Sequence, residues 1–152
     1  MISKVINKLL ETNTAIATAE SCTGGLVAKT ITDFSGVSEI FCEGYVTYSN
    51  EAKMKNLGVN PETLKKHGAV SSETAGQMAK GVRLRANTEL GVSTTGIAGP
   101  GGGTKEKPVG LVYIGVSTKE ETLVRELRLS GTREEIRQKT VENLFELILN
   151  VL

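Results

Sequence analysis

Thr14-Ala15-Ile16-Ala17-Thr18-Ala19-Glu20-Ser21-Cys22-Thr23-Gly24-Gly25-Leu26-Val27-Ala28-Lys29-Thr30-Ile31 changes its hydrophobic period half-way along. Thr14 to Ala19 is a short apolar run and predicts a strand. From Ser21 to Thr32 the spacing predicts a helix. A small hydroxyl followed by paired glycines at a strand-to-helix junction has two uses. The hydroxyl can be a nucleophile, and the unpaired amides of a helix start can hold an anion. The plain alternative is that Ser21, or Thr23, merely caps the helix. Inside a helix Gly24 and Gly25 would each cost about 1 kcal/mol relative to Ala, so the pair points to close approach by a ligand or by another backbone.

Outward from this junction, helices and strands alternate. Val5, Ile6, Leu9 and Leu10 form a helical stripe that ends near Asn13. Asp33-Phe34-Ser35-Gly36 breaks the second helix, and Ile40 to Ser49 reads as a strand. Ser49 or Asn50 caps a short helix through Leu57, stopped by Gly58. Asn60-Pro61-Glu62 opens another, closed by Gly68. Ser71 or Ser72 caps a longer one carrying Ala75, Met78, Ala79, Val82 and Ala86 on one face. Leu90 to Thr95 is a strand, followed by the loop Gly96 to Thr104. Leu111 to Val116 and Thr122 to Leu129 read as two more strands joined by a turn at Lys119-Glu120-Glu121, the second an edge strand. Thr132 and Glu135 form a capping box for a final helix with Val141, Leu144, Phe145, Ile148 and Leu152 on one side. This order implies one domain over residues 1–152, a three-layer α/β/α sandwich with a mostly parallel sheet.

Composition excludes several classes. A chain of 152 residues can bury one proper core. Its net charge of +1 offers no field to recruit nucleic acid or an anionic membrane, and Trp is absent with aromatics at 4%, too few for a single-strand stacking platform. No apolar run approaches the ~20 residues of a membrane span, and the N-terminus is not a secretory signal. Two cysteines, Cys22 and Cys42, make no disulfide scaffold; both are expected as free, buried packing thiols of a cytoplasmic protein.

Three segments follow strands, and a parallel arrangement gathers them at one sheet edge, where such folds bind ligands. They are Ser21 to Gly25, Tyr48 to Lys53 and Gly96 to Thr104. Lys53 falls in the first turn of a helix, where a cation is disfavoured. If it is also desolvated, its neutral amine becomes accessible near neutral pH and can take the serine proton, directly or through the Tyr48 phenol. The alternative is a solvated lysine and a packing tyrosine. Gly96 to Thr104 lacks the order of an NTPase phosphate loop and of the dinucleotide fingerprint, yet its glycines let amides cradle an anion or oxyanion; otherwise it is a surface loop. His67, the only histidine, precedes Gly68 and suits a helix C-terminus. No ligand spacing calls for a metal. Arg133 and Arg137 open the last helix as an anion clamp or as a solvated face.

Read together, these segments resemble the CinA C-terminal family. The stretches that carry the resemblance are Thr18 to Gly25, Val46-Thr47-Tyr48-Ser49-Asn50-Glu51-Ala52-Lys53, His67-Gly68-Ala69-Val70-Ser71, Thr95-Gly96-Ile97-Ala98-Gly99-Pro100 and Lys107-Pro108-Val109-Gly110, and the likeness spans essentially the whole chain. The resemblance implies a mixed, mostly parallel five-stranded sheet and a homodimer or larger assembly. Its active members are nicotinamide mononucleotide amidohydrolases, often called PncC, which form nicotinic acid mononucleotide and ammonia with no metal or cofactor. It places the nucleophile on Ser21, with Tyr48 and Lys53 assisting. Substrate contacts are expected from Thr23, Gly24, Gly25, Thr95, Gly96, Ala98, Gly99, Gly101, Gly102, Thr104 and Arg133. The alternative within the family is a silent nucleotide-binding module. Many members carry an additional N-terminal domain resembling molybdopterin-binding proteins. Here the first helix starts almost at Met1, so that domain is expected to be absent.

Overall fold

A computed structural model describes residues 1–152. The helices are α1 (Ile2–Glu11), α2 (Leu26–Thr32), α3 (Asn50–Leu57), α4 (Pro61–His67), α5 (Ser72–Ala86) and α6 (Arg133–Val151). The strands are β1 (Ile16–Glu20), β2 (Gly44–Val46), β3 (Leu90–Gly96), β4 (Leu111–Ser117) and β5 (Thr122–Arg128), in the sheet order β2-β1-β3-β4-β5.

Local signals place most helix ends. The Ser49 hydroxyl accepts from the Ala52 amide, Asn60 from Glu62, and Ser71 from Thr74, while Thr132 and Glu135 complete a reciprocal capping box. Two expectations are corrected. The helix after β1 starts at Leu26 rather than Ser21, because Gly24 and Gly25 have φ of 59° and 108° and form a turn before it. Of Ile40 to Ser49, only Gly44–Val46 pairs as strand, since Val37–Glu39 is a 3₁₀ turn that Ile40 closes.

The mostly parallel sheet is also corrected. β1 pairs parallel with β2 and β3, but β3–β4 and β4–β5 are antiparallel. The physical reason lies between Gly96 and Leu111. A parallel partner needs a crossover, usually a helix, to bring the chain back to the starting edge. That segment is rich in glycine and proline and contains no helix, so β4 must return antiparallel beside β3.

Three layers are present. On one face, α1, α2 and α6 bury Val5, Ile6, Leu9, Val27, Ile31, Ile136, Leu144, Phe145 and Ile148 against Ile16, Val92, Val112 and Ile114. On the other, α3, α4 and α5 bury Leu57, Leu64, Met78 and Val82 against Ala17 and Ala19. Alternation along β1 thus sends even positions to the α2/α6 face and odd ones to the α5 face. The α5 face is built from small residues. A Cβ on Gly91 would strike the Ala79 carbonyl, and one on Gly115 would lie 2.9 Å from the Ala75 oxygen. The helix therefore lies close on the sheet, and α3 lies close on α5 through Gly81, beside the Leu57 carbonyl. No helix is long and apolar enough to cross a membrane.

Gly81 separates two effects of opposite sign. In a helix interior Ala is favoured over Gly by about 1 kcal/mol. At this position its Cβ would meet backbone of α3, and overpacking of that kind costs about 1–3 kcal/mol. Gly81→Ala is therefore expected to destabilise the fold, seen as a lower urea midpoint at unchanged slope; a higher midpoint would show that α3 can move aside.

Candidate active site

β1, β2 and β3 are mutually parallel, so the turns that follow them open on one sheet edge. β1 ends at Glu20, and Ser21 follows with its amide on the Thr94 carbonyl at 3.0 Å. β2 ends at Val46, the Thr47 amide continues to the Glu20 carbonyl at 2.8 Å, and the Ser49 cap starts α3. One turn into α3, Lys53 points back under the end of β2 and is 1% exposed.

The Lys53 Nζ donates to the Thr47 carbonyl at 2.8 Å, to the Tyr48 carbonyl at 3.4 Å and to Ser21 Oγ at 3.0 Å. It forms no ion pair with a carboxylate. Burial therefore acts unopposed by any carboxylate and pushes its pKa down to about 8. The partners decide where the lone pair goes. Carbonyl oxygens only accept, so when the amine loses a proton the two carbonyls keep the two remaining N–H groups. The lone pair is left to the only partner able to donate, the Ser21 hydroxyl. That is the geometry of a nucleophile with its base.

Tyr48 sits elsewhere. Its ring is 62% exposed and its phenol accepts from Arg133 Nη2 at 3.2 Å. It contributes its carbonyl to Lys53, and the direct Ser21–Lys53 contact leaves no gap for a phenol relay. Arg133 also donates to the Gly99 carbonyl at 2.8 Å, so it bridges the turn after β2 and the loop after β3. Arg137 donates to the Thr23 carbonyl at 2.7 Å. Neither arginine meets a carboxylate.

Several expected substrate contacts are engaged within the protein. The Thr23 hydroxyl is fully buried and donates to Glu20 Oε1 at 2.6 Å, and the Thr95 hydroxyl donates to the Ala69 carbonyl at 2.8 Å. The Gly24 amide donates to the Ser21 carbonyl at 3.1 Å and the Gly25 amide to Glu20 Oε1 at 3.2 Å. Gly96 is packed against Val112, and the Thr104 hydroxyl accepts from the Lys107 amide at 3.0 Å. The amides without an acceptor in the protein are those of Cys22 and Thr23 beside Ser21, and of Ala98, Gly99, Gly101, Gly102 and Gly103 in the loop. Thr23 was expected as a substrate contact; the Cys22 amide was missed, and the available signal was its position directly after the serine. Glu20 was missed too, although a carboxylate ending a strand before a helix is a ready partner for that helix's first amides.

The thiols differ from each other. Cys22 is buried, and burial pushes its pKa up to about 12, which keeps it protonated and unreactive. Cys42 is exposed, contrary to the packing role expected of both.

The sequence profile of the CinA C-terminal domain matches residues 1–152. The chain belongs to the CinA C-terminal domain family. A competence-damage inducible protein of Acetivibrio thermocellus is 59% identical over 140 residues, covering 92% of this chain and 34% of that protein. One from Caldanaerobacter subterraneus is 56% identical over 148 residues, covering 97% of this chain and 36% of the relative. This CinA domain thus spans about a third of the length of these curated relatives. The crystal structure of competence/damage inducible protein CihA from Agrobacterium tumefaciens superposes with a TM-score of 0.95 at 43% identity, covering 98% of this chain and 92% of that one. A competence or damage-inducible protein from Enterobacter asburiae gives 0.94 at 34% identity, covering 99% and 96%.

The buried amine makes stability depend on pH with a definite sign. Unfolded, Lys53 titrates near 10.4; folded, it does so near 8. Between those values the unfolded chain binds more protons, so stability rises with pH across that window. Relative to Lys53→Met, in which Cys22 is retained, the wild type is expected to gain about 3 kcal/mol between pH 7.5 and 10.5. Urea unfolding of both proteins across the window measures it, and a constant difference would mean the amine is not desolvated.

Proposed function

We propose that this domain is a metal-independent amidohydrolase that hydrolyses the carboxamide of nicotinamide mononucleotide to nicotinic acid mononucleotide and ammonia. The carrying observation is the 3.0 Å contact between Ser21 Oγ and a buried Lys53 amine whose other two partners are carbonyls. The substrate class comes from the likeness to PncC-type members of the family.

Ser21 Oγ attacks the carboxamide carbon while its proton passes to the neutral Lys53 amine. The carbonyl oxygen becomes an oxyanion beside the free Cys22 and Thr23 amides, each such donor being worth about 3 kcal/mol in comparable sites. The C–N bond then breaks, Lys53 returns its proton to the leaving nitrogen, and ammonia departs. Water attacks the acyl-serine with Lys53 again as base, releasing the acid and restoring Ser21. Tyr48 shapes the turn that orients Lys53 and borders the site, a positioning part rather than a proton relay.

The phosphate of the mononucleotide is assigned to the free amides of Ala98, Gly99, Gly101 and Gly102 and to Arg133. The present partners of Arg133, a carbonyl and a phenol, are neutral, and a phosphate is a stronger acceptor for a guanidinium. Thr23, Gly24, Gly25, Thr95, Gly96 and Thr104 form the frame behind these contacts. The protonated Cys22 thiol takes no covalent part.

Ammonia release from nicotinamide mononucleotide tests the proposal. Ser21→Ala and Lys53→Met, both folded by circular dichroism, are each expected to lose at least about 10²–10⁴ in turnover. Binding without ammonia in the wild type would instead identify a silent nucleotide module. Because the base works only when neutral, kcat/KM should rise about tenfold per pH unit below about 8 and level off above it. A profile flat from pH 6 to 9 would remove Lys53 from the proton transfer. Iodoacetamide at pH 8 should label Cys42 alone and leave turnover intact; parallel loss of activity and labelling of Cys22 would make the Cys22 thiol the nucleophile in place of Ser21.

A further inference from the structure

The turn that carries Ser21 is organised by a residue the reaction does not use. Of the amides from Ser21 to Gly25, those of Ser21, Gly24 and Gly25 have acceptors, at Thr94 O, Ser21 O and Glu20 Oε1. Those of Cys22 and Thr23 do not. Glu20 is 1% exposed and meets no cation. Its Oε1 accepts from the Thr23 hydroxyl at 2.6 Å, from the Gly25 amide at 3.2 Å and from the Val27 amide at 2.8 Å, while Oε2 accepts from the Ala28 amide at 3.0 Å. The carboxylate thus ties the turn to the first turn of α2.

These contacts also fix the direction of a buried hydroxyl chain. Thr23 has one hydroxyl proton and spends it on the carboxylate. The 2.7 Å contact between Thr23 Oγ1 and Thr94 Oγ1 is then donated by Thr94. The Thr94 oxygen is left as a second acceptor, at 3.4 Å, for the Ser21 amide. A buried carboxylate without a cation is costly, and here every one of its contacts lies in the segment Thr23 to Ala28. Arg137 adds to the hold from α6 by donating to the Thr23 carbonyl at 2.7 Å.

We propose that Glu20 is a positioning residue for the acyl-transfer reaction, its carboxylate holding the Ser21–Gly25 turn in the one arrangement that leaves the Cys22 and Thr23 amides free for the oxyanion. This rests on the deamidase reading. Glu20→Gln keeps an oxygen for Thr23, Gly25 and Val27 but sets an N–H against the Ala28 amide, so the turn shifts without losing its bulk.

Removing an oxyanion donor costs about 10²–10³ in kcat; displacing two of them is expected to cost about 10–100-fold, with KM within about threefold. The acidic limb of the pH profile stays where Lys53 puts it. The aldehyde analogue of the substrate, pyridine-3-carboxaldehyde mononucleotide, forms a hemiacetal with Ser21 and places an oxygen where the oxyanion develops. Its affinity for Glu20→Gln should fall by the same factor as kcat/KM, while nicotinic acid mononucleotide binds as before. Wild-type kcat in Glu20→Gln, or equal losses for the aldehyde and the acid, overturns the inference. Should Glu20→Gln fail to fold, Thr23→Val removes the hydroxyl link alone and is expected to show the same pattern at about tenfold, with unchanged kcat again overturning it. A wild type that releases no ammonia overturns the deamidase reading and this inference together; an active wild type with an indifferent Glu20→Gln overturns this inference only.

Discussion

An ammonium group withdrawn from water and given no carboxylate is the constraint around which this edge of the sheet is arranged. Lys53 is fully covered, sits in the first turn of α3 where the helix dipole opposes its charge, and faces two carbonyls and one hydroxyl. A carboxylate at the same distance would favour the charged ammonium and remove the lone pair that now faces the Ser21 hydroxyl. A carboxylate is in fact next door in sequence. Glu20 directly precedes the serine, and the alternation of a strand keeps them apart. Even positions of β1 face α2 and α6, odd positions face α3 and α5. Glu20 is therefore turned to the amides of α2 while Ser21 is turned to the amine of α3. Two buried ionisable groups at one strand end serve opposite faces, and each is left to the electrostatics of its own side.

That separation depends on packing some distance from the site. Lys53 reaches Ser21 from α3, which lies close on α5 as α5 does on β3 and β4. The close approaches run through positions where a side chain would meet backbone: Gly81 at Leu57, Gly91 at Ala79 and Gly115 at Ala75. Ala17 and Ala19 continue the small-residue surface on β1. The opposite face is filled with large side chains such as Ile6, Ile31, Leu144 and Phe145, and presents Glu20 to a helix start. The asymmetry between a thin, close-packed α5 face and a thick α6 face is therefore part of how the amine is desolvated.

What could be read from the sequence was what is decided locally. Ser49, Asn60, Ser71 and the Thr132–Glu135 pair act within three residues of themselves, and each caps the helix expected of it. Ser21 and Lys53 were legible by residue type and by the strand ends they follow, since parallel strands bring their ends together without further information. The rest depended on partners far along the chain. The Tyr48 phenol goes to Arg133, across 85 positions, rather than to the lysine five residues away. The Thr23 and Thr95 hydroxyls look available in the sequence and are engaged by Glu20 and by Ala69. Ile40 to Ser49 has strand-like composition, but only three of its residues find a neighbour on the single side open to an edge strand.

The mostly parallel sheet was the largest misjudgement of the fold, and its correction at β4 bears on the site. A parallel β4 would have required the chain after Gly96 to travel to the far edge of the sheet and start again there. Because β4 pairs antiparallel with β3, with Gly96 opposite Val112, the chain between them leaves and re-enters the sheet at the same edge. The whole glycine segment, with the free amides of Ala98, Gly99, Gly101 and Gly102, is thereby confined to the edge where Ser21 and Lys53 meet, and Arg133 fastens it there through the Gly99 carbonyl. The parallel half of the sheet carries Ser21 and Lys53, the antiparallel return carries the glycine loop with its free amides, and the reversal after β3 is the step that keeps both on one edge of a small sheet.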